Sequence, residues 1–373
     1  MSQPIKRRWY LKYLGKISIW ISFLWFSSLK FGCVLKSSQL HANEIKRESG
    51  KKSHHVENGF INPPGSPIHE HDLSNWFKHI WYELAGNKPK LPKIHVIKYR
   101  KARSAFEKLG NSDKIMWLGH SSFLLRLSNK NILLDPFLSD YATSYPPFGP
   151  KRYAPPGLPV TELPQIDLII ISHNHYDHLD FKTLSALPGK RKISIIAPLG
   201  LGNFFLELGY EKITELDWHD VLRIKPIKIT AIPAVHFSGR GLLDRNKTLW
   251  AGFAITDGKT NIYFSCDTAY HSIFEKIGRE YGPFDYALVP IGAYRPAPMK
   301  NHAHVTPEEA VQMGLNLQSK TLIPMHWGSI ILSQAPPFEA PDRFLKAGLK
   351  AGFNEANLWI MKIGETRGIS FHS

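Results

Sequence analysis

Between residues 167 and 178 the chain runs Asp167-Leu-Ile-Ile-Ile171 and then Ser172-His173-Asn174-His175-Tyr176-Asp177-His178. An apolar, strand-like run therefore opens directly into four candidate metal ligands, His173, His175, Asp177 and His178. A loop leaving a strand can turn alternating side chains toward one point, and imidazole with carboxylate is the donor set preferred by Zn²⁺ and similar borderline ions. Three more candidates sit in the same position: His236 after Ile229–Val235, Asp267 after Ile262–Cys266 and His326 after Thr321–Met325. Taken singly, His236 or His326 reads as a hydrogen-bonded core histidine. Open α/β sheets collect their sites at the carboxyl ends of strands, so together with the cluster they read as ligands. Seven ligands are too many for one tetrahedral ion and suit two, with one carboxylate shared.

The rest of the chain supplies a scaffold for such a centre. From Lys114 onward short apolar runs recur at 115–118, 123–127, 132–134, 168–171, 193–197, 227–235, 250–255, 262–264, 286–289 and 321–324. Helical stretches are expected at 203–208, 270–280, 307–317 and 342–351. The third opens with Thr306 as N-cap, Pro307 at the first helical position and Glu309 two residues on, a capping-box pattern. Many strands with scattered helices predict a layered α/β domain. The expected division is an N-terminal signal or anchor over 1–42, a linker and N-terminal wrap over 43–110, and a catalytic domain over 111–373. Residues 36–75 are polar, His-rich and broken by Pro63-Pro64-Gly65, so His54, His55, His69 and His71 are read as solvated, as is His302.

The formal charge is +16, but residues 1–52 hold eleven Lys/Arg against Glu44 and Glu48 and so carry +9 of it. The mildly basic remainder argues against nucleic acid as a partner, and a basic leader suits an anionic membrane surface. Cys33 and Cys266 are too few for a disulfide scaffold. The basic stretch Lys6–Lys16 precedes thirteen mostly apolar residues, Ile17–Leu29, well short of the roughly twenty that span a bilayer. The stretch Lys6-Arg7-Arg8-Trp9-Tyr10-Leu11-Lys12 resembles the bacterial twin-arginine export signal, with Lys6 where that signal usually has Ser or Thr. A cleaved signal and an uncleaved anchor both fit, and either predicts a bacterial envelope location: exported to the periplasm or held at the membrane.

Nine ordered blocks carry a family resemblance: Trp117-Leu-Gly-His120, Gly149-Pro-Lys-Arg152, the segment from Ile171 to Asp180, Glu215-Leu-Asp-Trp218, Asp267-Thr268, Gly282-Pro-Phe-Asp285, the segment from Pro290 to Tyr294, that from His304 to Ala310, and His326-Trp-Gly328. Together they resemble the N-acylphosphatidylethanolamine-hydrolysing phospholipase D family of the metallo-β-lactamase superfamily, over about 115–367. The resemblance implies an αβ/βα sandwich with two Zn²⁺ at the edge of its facing sheets. One ion would be held by His173, His175 and His236, the other by Asp177, His178 and His326, with Asp267 bridging and also accepting a proton from the attacking water. Two such ions lower the pKa of a shared water, deliver it as hydroxide and steady the entering and leaving oxygens of a phosphodiester. The implied reaction is hydrolysis of N-acylphosphatidylethanolamine to phosphatidic acid and N-acylethanolamine, with His304 contacting the phosphate or protonating the leaving alkoxide. Tyr176 either touches substrate or packs. His120 is read as orienting a ligand or as structural. A homodimer is implied by resemblance alone.

The chain departs from the family at Cys266, where Gly is usual, at Ala303, where animal enzymes carry Gln, and over Arg295–Met299, so substrate preference is left open. Two other readings compete. One keeps the chemistry but changes the substrate to a lactone, a cyclic phosphodiester or another phospholipid. The other is a non-catalytic envelope protein that binds lipid, against which stands the ligand count, since a structural zinc needs only four.

Overall fold

The computed structural model describes residues 45–46, 52–67, 92 and 95–369, apart from 148, 242, 296–302, 334 and 337. The segment 1–42 expected to be a signal or anchor, Cys33 within it, His69, His71 and His302 lie outside the described residues. The elements begin with β1 (Ile45–Lys46), β2 (His55–Val56), β3 (Gly59–Phe60) and helix α1 (Tyr99–Lys108). Next come β4 (Lys114–Gly119), β5 (Ser122–Leu127), β6 (Lys130–Leu134), β7 (Leu168–Ile170), α2 (Phe181–Ala186), β8 (Ser194–Pro198), α3 (Gly202–Glu207) and β9 (Lys212–Leu216). The second half holds β10 (Val221–Ile224), β11 (Ile227–Ile232), β12 (Gly252–Thr256), β13 (Asn261–Phe264), α4 (Ile273–Tyr281), β14 (Tyr286–Pro290), α5 (Pro307–Asn316), β15 (Thr321–Met325), α6 (Ala340–Lys350) and β16 (Thr366–Gly368).

Two seven-stranded sheets result, ordered β16-β4-β5-β6-β7-β8-β9 and β1-β10-β11-β12-β13-β14-β15. The first is antiparallel as far as β6 and parallel from β6 to β9. The second is antiparallel as far as β13 and parallel from β13 to β15. Strand alternation explains the layers. Ile115, Trp117, Phe123, Leu125, Ile132 and Leu134 face the second sheet and join Ile229, Phe253 and Ile262 in the central core. Their neighbours Met116, Leu118, Leu124 and Leu133 point the other way, onto Phe106, Leu184 and Phe205 of α1, α2 and α3. Strands apolar on both faces are what a sheet covered on both sides requires. With Phe274, Val311 and Phe344 of α4, α5 and α6 packed on the central core, the fold is an αβ/βα sandwich.

The capping box at Thr306 and Glu309 forms as the spacing predicts. The four expected helices and ten expected strands are present, with ends shifted by a few residues. The edge strands β9 and β16, the short strand β10, and helices α1 and α2 were not expected. Their apolar residues are too few to stand out, and tertiary pairing rather than pattern selects them. The described part of the 43–110 segment is built into the domain. β1 pairs with β10, Val96 bridges Ile363, and α1 buries Ala102 and Phe106. The expectation of solvated His54 and His55 is corrected for His54, which is 6 % exposed, while both rings contact Asp217. Among the described residues no helix is long and apolar enough to cross a membrane.

Candidate metal centre

The parallel strands aim their carboxyl ends at one edge of the sandwich. β6 leads into Asp135, β7 into the His173–His178 loop, β13 into Asp267 and β15 into His326. The turns there are tight: Asp135 (φ 37°), Cys266 (φ 66°), His326 (φ 61°) and His120 (φ 56°) all sit in left-handed backbone, an uncommon conformation for residues other than glycine. Non-glycine residues held there carry strain that clusters at functional sites. Gly292 permits the close approach of its neighbour, since a Cβ there would fall 1.8 Å from the His326 carbonyl oxygen.

All seven candidate ligands converge. His175 Nδ1 lies 2.9 Å from His173 Nε2 and 3.2 Å from His236 Nε2, so three ring nitrogens face a common point. Beside them, Asp177 Oδ2 is 3.5 Å from His178 Nε2 and 3.6 Å from His326 Nε2. Asp267 lies between the groups: its Oδ2 is 2.9 Å from His326 Nε2, 3.2 Å from His178 Nε2 and 4.0 Å from His236 Nε2. His304 joins the same oxygen at 4.0 Å through Nδ1.

The surrounding residues fix these side chains. Asp135 is the main one: Oδ2 meets His178 Nδ1 at 2.6 Å and accepts from Ser172 Oγ at 2.5 Å, while Oδ1 accepts the Ser172 N–H at 2.7 Å. Ser172 Oγ in turn is 2.8 Å from His173 Nδ1. His236 Nδ1 faces the Ala303 carbonyl at 3.1 Å, and His120 Nε2 meets Asp177 Oδ2 at 2.8 Å. Arg240 closes the loop by donating from one nitrogen to the carbonyls of Asn174 and Leu179, both at 2.8 Å.

Residues 130–327 match the beta-lactamase superfamily domain, about half of the chain. An N-acyl-phosphatidylethanolamine-hydrolyzing phospholipase D of Caenorhabditis elegans is 35% identical over 241 residues, 62% of this chain and 68% of that protein. The chain belongs to this phospholipase D-like family of the beta-lactamase superfamily. An uncharacterized protein of Mycobacterium tuberculosis is 40% identical over 238 residues, 62% of this chain and 63% of that protein, so the match spans less than two thirds of that relative. Among solved structures, a metallo hydrolase from Ignicoccus hospitalis superposes with a TM-score of 0.53 at 21% identity, covering 70% of this chain and all of that one, which supports the fold.

The chain has the metallo-β-lactamase fold, and the residues present fit metal binding. Nε2 of His178 and of His326, Oδ1 of Asp267 and Nδ1 of His304 are buried without a hydrogen-bond partner. One such orphan costs about 1–3 kcal/mol, and four at one point form a cluster that a bound cation would satisfy. Charge states agree. Burial, reinforced by neighbouring imidazoles, holds His173 and His236 well below the usual imidazole range. Burial likewise pulls His175 down to about 4. These rings are neutral at neutral pH, the form that ligates metal. Burial works against ionised Asp267 and Asp177, but facing histidines outweigh it and hold both carboxyls well below their usual range. Burial also opposes the proton on His326, yet Asp267 and Asp177 push that ring up to about 9. The pair of carboxylates thus gathers positive charge, as a dication site must.

Tyr176 packs against Arg240 in this arrangement. Its hydroxyl donates to the Arg240 carbonyl at 2.9 Å and its ring lies 3.8 Å beneath the Arg240 guanidinium. A third group, His54, His55 and Asp217, also clusters ligand-type atoms. Its carboxylate oxygens are already taken by both rings and by Lys52 Nζ at 3.2 Å, so it serves as a latch between chain segments. Sequence reasoning missed Asp135, Ser172, Arg240 and Asn62. Only Asp135 left a signal, an acid directly after the apolar run 132–134.

Proposed function

We propose that this protein is a metal-dependent hydrolase, a zinc phosphodiesterase that cleaves N-acylphosphatidylethanolamine-type phospholipids to phosphatidic acid and N-acylethanolamine. The observation that carries the reading is the meeting of His178, His326, His236 and His304 around the single oxygen Oδ2 of Asp267. His173, His175 and His236 would hold one zinc, Asp177, His178 and His326 the other, with Asp267 shared. Bound there, the two ions would activate a water and offset the charge of a phosphodiester. The name of the nematode relative supports the phospholipid class.

The chain's own groups then have defined tasks. Water adds its oxygen to phosphorus while the bond from phosphorus to the N-acylethanolamine oxygen breaks. Asp267 Oδ1, buried and without a partner, accepts the proton that the water loses. Asp267 then passes that proton to the leaving alkoxide, which departs as the free alcohol. His304 lies beside the same carboxylate, and burial pulls its imidazole down to about 4, so at neutral pH it is neutral and suited to donate an N–H to a phosphoryl oxygen. An anionic membrane surface as partner, a homodimer, and a cell-envelope location reached by export or anchoring belong to the same proposal.

The test is metal content together with product release by the purified full chain, with Asp267→Ala beside it. Two zinc ions per chain and Asp267-dependent release of N-acylethanolamine are expected. Two metals without that product would redirect the site to lactones or other phosphodiesters, and a chain that binds no metal would overturn the reading.

A further inference from the structure

The segment over 52–67 reaches the metal centre through one side chain. Asn62 Oδ1 accepts the backbone N–H of His236 at 3.0 Å and the indole N–H of Trp250 at 3.1 Å. That indole is shared with the Ala234 carbonyl at 2.9 Å, so Asn62 and Trp250 together grip the loop that carries His236 beyond β11. The other side of this loop is tied by Val235 N–H to Thr268 Oγ1 at 3.0 Å and by the Ala269 N–H to the Val235 carbonyl at 2.8 Å. The His236 amide belongs to a buried residue, and a buried N–H left unpaired is costly. With the ring set by the Ala303 carbonyl and the amide by Asn62, both ends of His236 are fixed.

Asn62 is held in turn by a latch. The rings of His54 and His55 divide the two oxygens of Asp217 at 2.7 and 2.8 Å, and Lys52 Nζ reaches the Trp218 carbonyl at 2.8 Å. His54 stacks on Trp218 at 4.1 Å between centroids and accepts the Ile61 N–H on its own carbonyl at 2.9 Å. Trp218 donates to the Trp250 carbonyl at 2.7 Å, and Trp250 meets Asn62. A continuous path therefore runs from Asp217 through His54 and the two tryptophans to Asn62 and His236.

We propose that Asn62 is a positioning residue for the metal centre, setting His236 through its backbone amide, and that the latch of His54 and His55 on Asp217 keeps it there. The inference rests on His236 being a metal ligand. Groups that orient ligands are typically worth roughly 10–100-fold in metal affinity or activity.

The experiment compares full-length wild type with Asn62→Ala, Asn62→Asp and His236→Ala for zinc retained against a competing chelator, thermal midpoint of the metal-free protein, and kcat and KM on a phosphodiester. Asn62→Ala should retain zinc roughly 10-fold or more weakly and lose kcat with little change in KM. Asn62→Asp, which keeps the acceptor, should recover most of both. A folded Asn62→Ala with wild-type zinc retention and kcat overturns the positioning role when His236→Ala does lose zinc. If His236→Ala also retains both metals, the ligand assignment itself fails. Should Asn62→Ala not fold, Asn62→Ser, whose oxygen is too short to reach both donors, takes its place with the same expected loss, and unchanged retention there also overturns the proposal.

Discussion

Asp135 Oδ2 sits 2.6 Å from Nδ1 of His178, which turns Nε2 of the same ring, lacking a hydrogen-bond partner of its own, to within 3.2 Å of Asp267. A carboxylate behind a ligand imidazole fixes its tautomer and raises its basicity. Since Asp135 also holds Ser172, which contacts His173, one side chain steadies a candidate ligand from each half of the centre. Asp135→Asn should therefore lower zinc affinity roughly 10–100-fold without unfolding the domain, read by chelator competition on the folded variant. Unchanged affinity would show that Ser172 and the packing alone set these rings.

His304 offers a test that separates chemistry from metal binding. It shares Asp267 with the ligands at 4.0 Å but belongs to neither three-residue group proposed to hold an ion. His304→Ala should reduce turnover by about 100-fold or more while zinc content stays near that of the wild type. Zinc loss in parallel with activity would make His304 a ligand or its support.

Arg240 staples the loop that carries four candidate ligands. Its guanidinium is largely buried, donates to two carbonyls at 2.8 Å and lies over the rings of Tyr176 and Phe181 at 3.8 and 4.8 Å. Hydrogen bonds to a charged donor contribute about 1.5–3 kcal/mol each. Arg240→Ala is expected to destabilise the protein by about 2–3 kcal/mol in denaturant titration, and Arg240→Lys should restore it only in part, because an ammonium lacks the planar guanidinium that lies over the two rings.

Cys266 occupies left-handed backbone at φ 66°, with its thiol 3.5 Å from His173 Nδ1. A side chain in that conformation costs roughly 1–2 kcal/mol, and glycine carries no such cost. Cys266→Gly relieves the strain but loses a buried sulfur, so its stability should stay within about 1 kcal/mol of wild type, in contrast to a typical large-to-small core change of several kcal/mol. A thermal melt of both proteins decides between these outcomes.

The latch predicts a pH dependence. Burial acts to raise the Asp217 carboxyl, but the hydrogen bond and charge of His54, then Lys52, hold it well below the usual carboxylate range. A carboxyl depressed in the folded state stabilises the fold above its unfolded value of about 3.9 and loses that contribution as pH falls through and below it. The stability gap between wild type and Asp217→Asn should be fully open near neutral pH and narrow from about pH 5 downward. A gap of constant size across that range would mean that the interaction does not depend on ionised Asp217.

Elements whose cause is local were legible. The 307–316 helix follows from Thr306, Pro307 and Glu309, which satisfy one another within a single turn. The His173–His178 loop was readable for the same reason, because four donors lie on one short segment. The edge strands were not: Lys212–Leu216 exposes one residue and half-exposes two more, and nothing in its pattern separates it from a loop. Residues 52–67 have a loop's composition, yet they bury His54 against Asp217, a partner 163 positions away.

The sequence by itself determined that this chain builds a layered α/β fold with seven imidazole and carboxylate donors at strand ends, since strand periodicity and short-range ligand spacing are properties of neighbouring residues. Only the tertiary structure decided what holds those donors: Asp135 behind His178, the Ala303 carbonyl and Asn62 on either end of His236, and Arg240 across the loop. These contacts join residues separated by 43 to 174 positions. Such a contact exists only after two sheets have paired and stacked, because the entropy of closing so long a loop is met by the whole core and not by the contact itself.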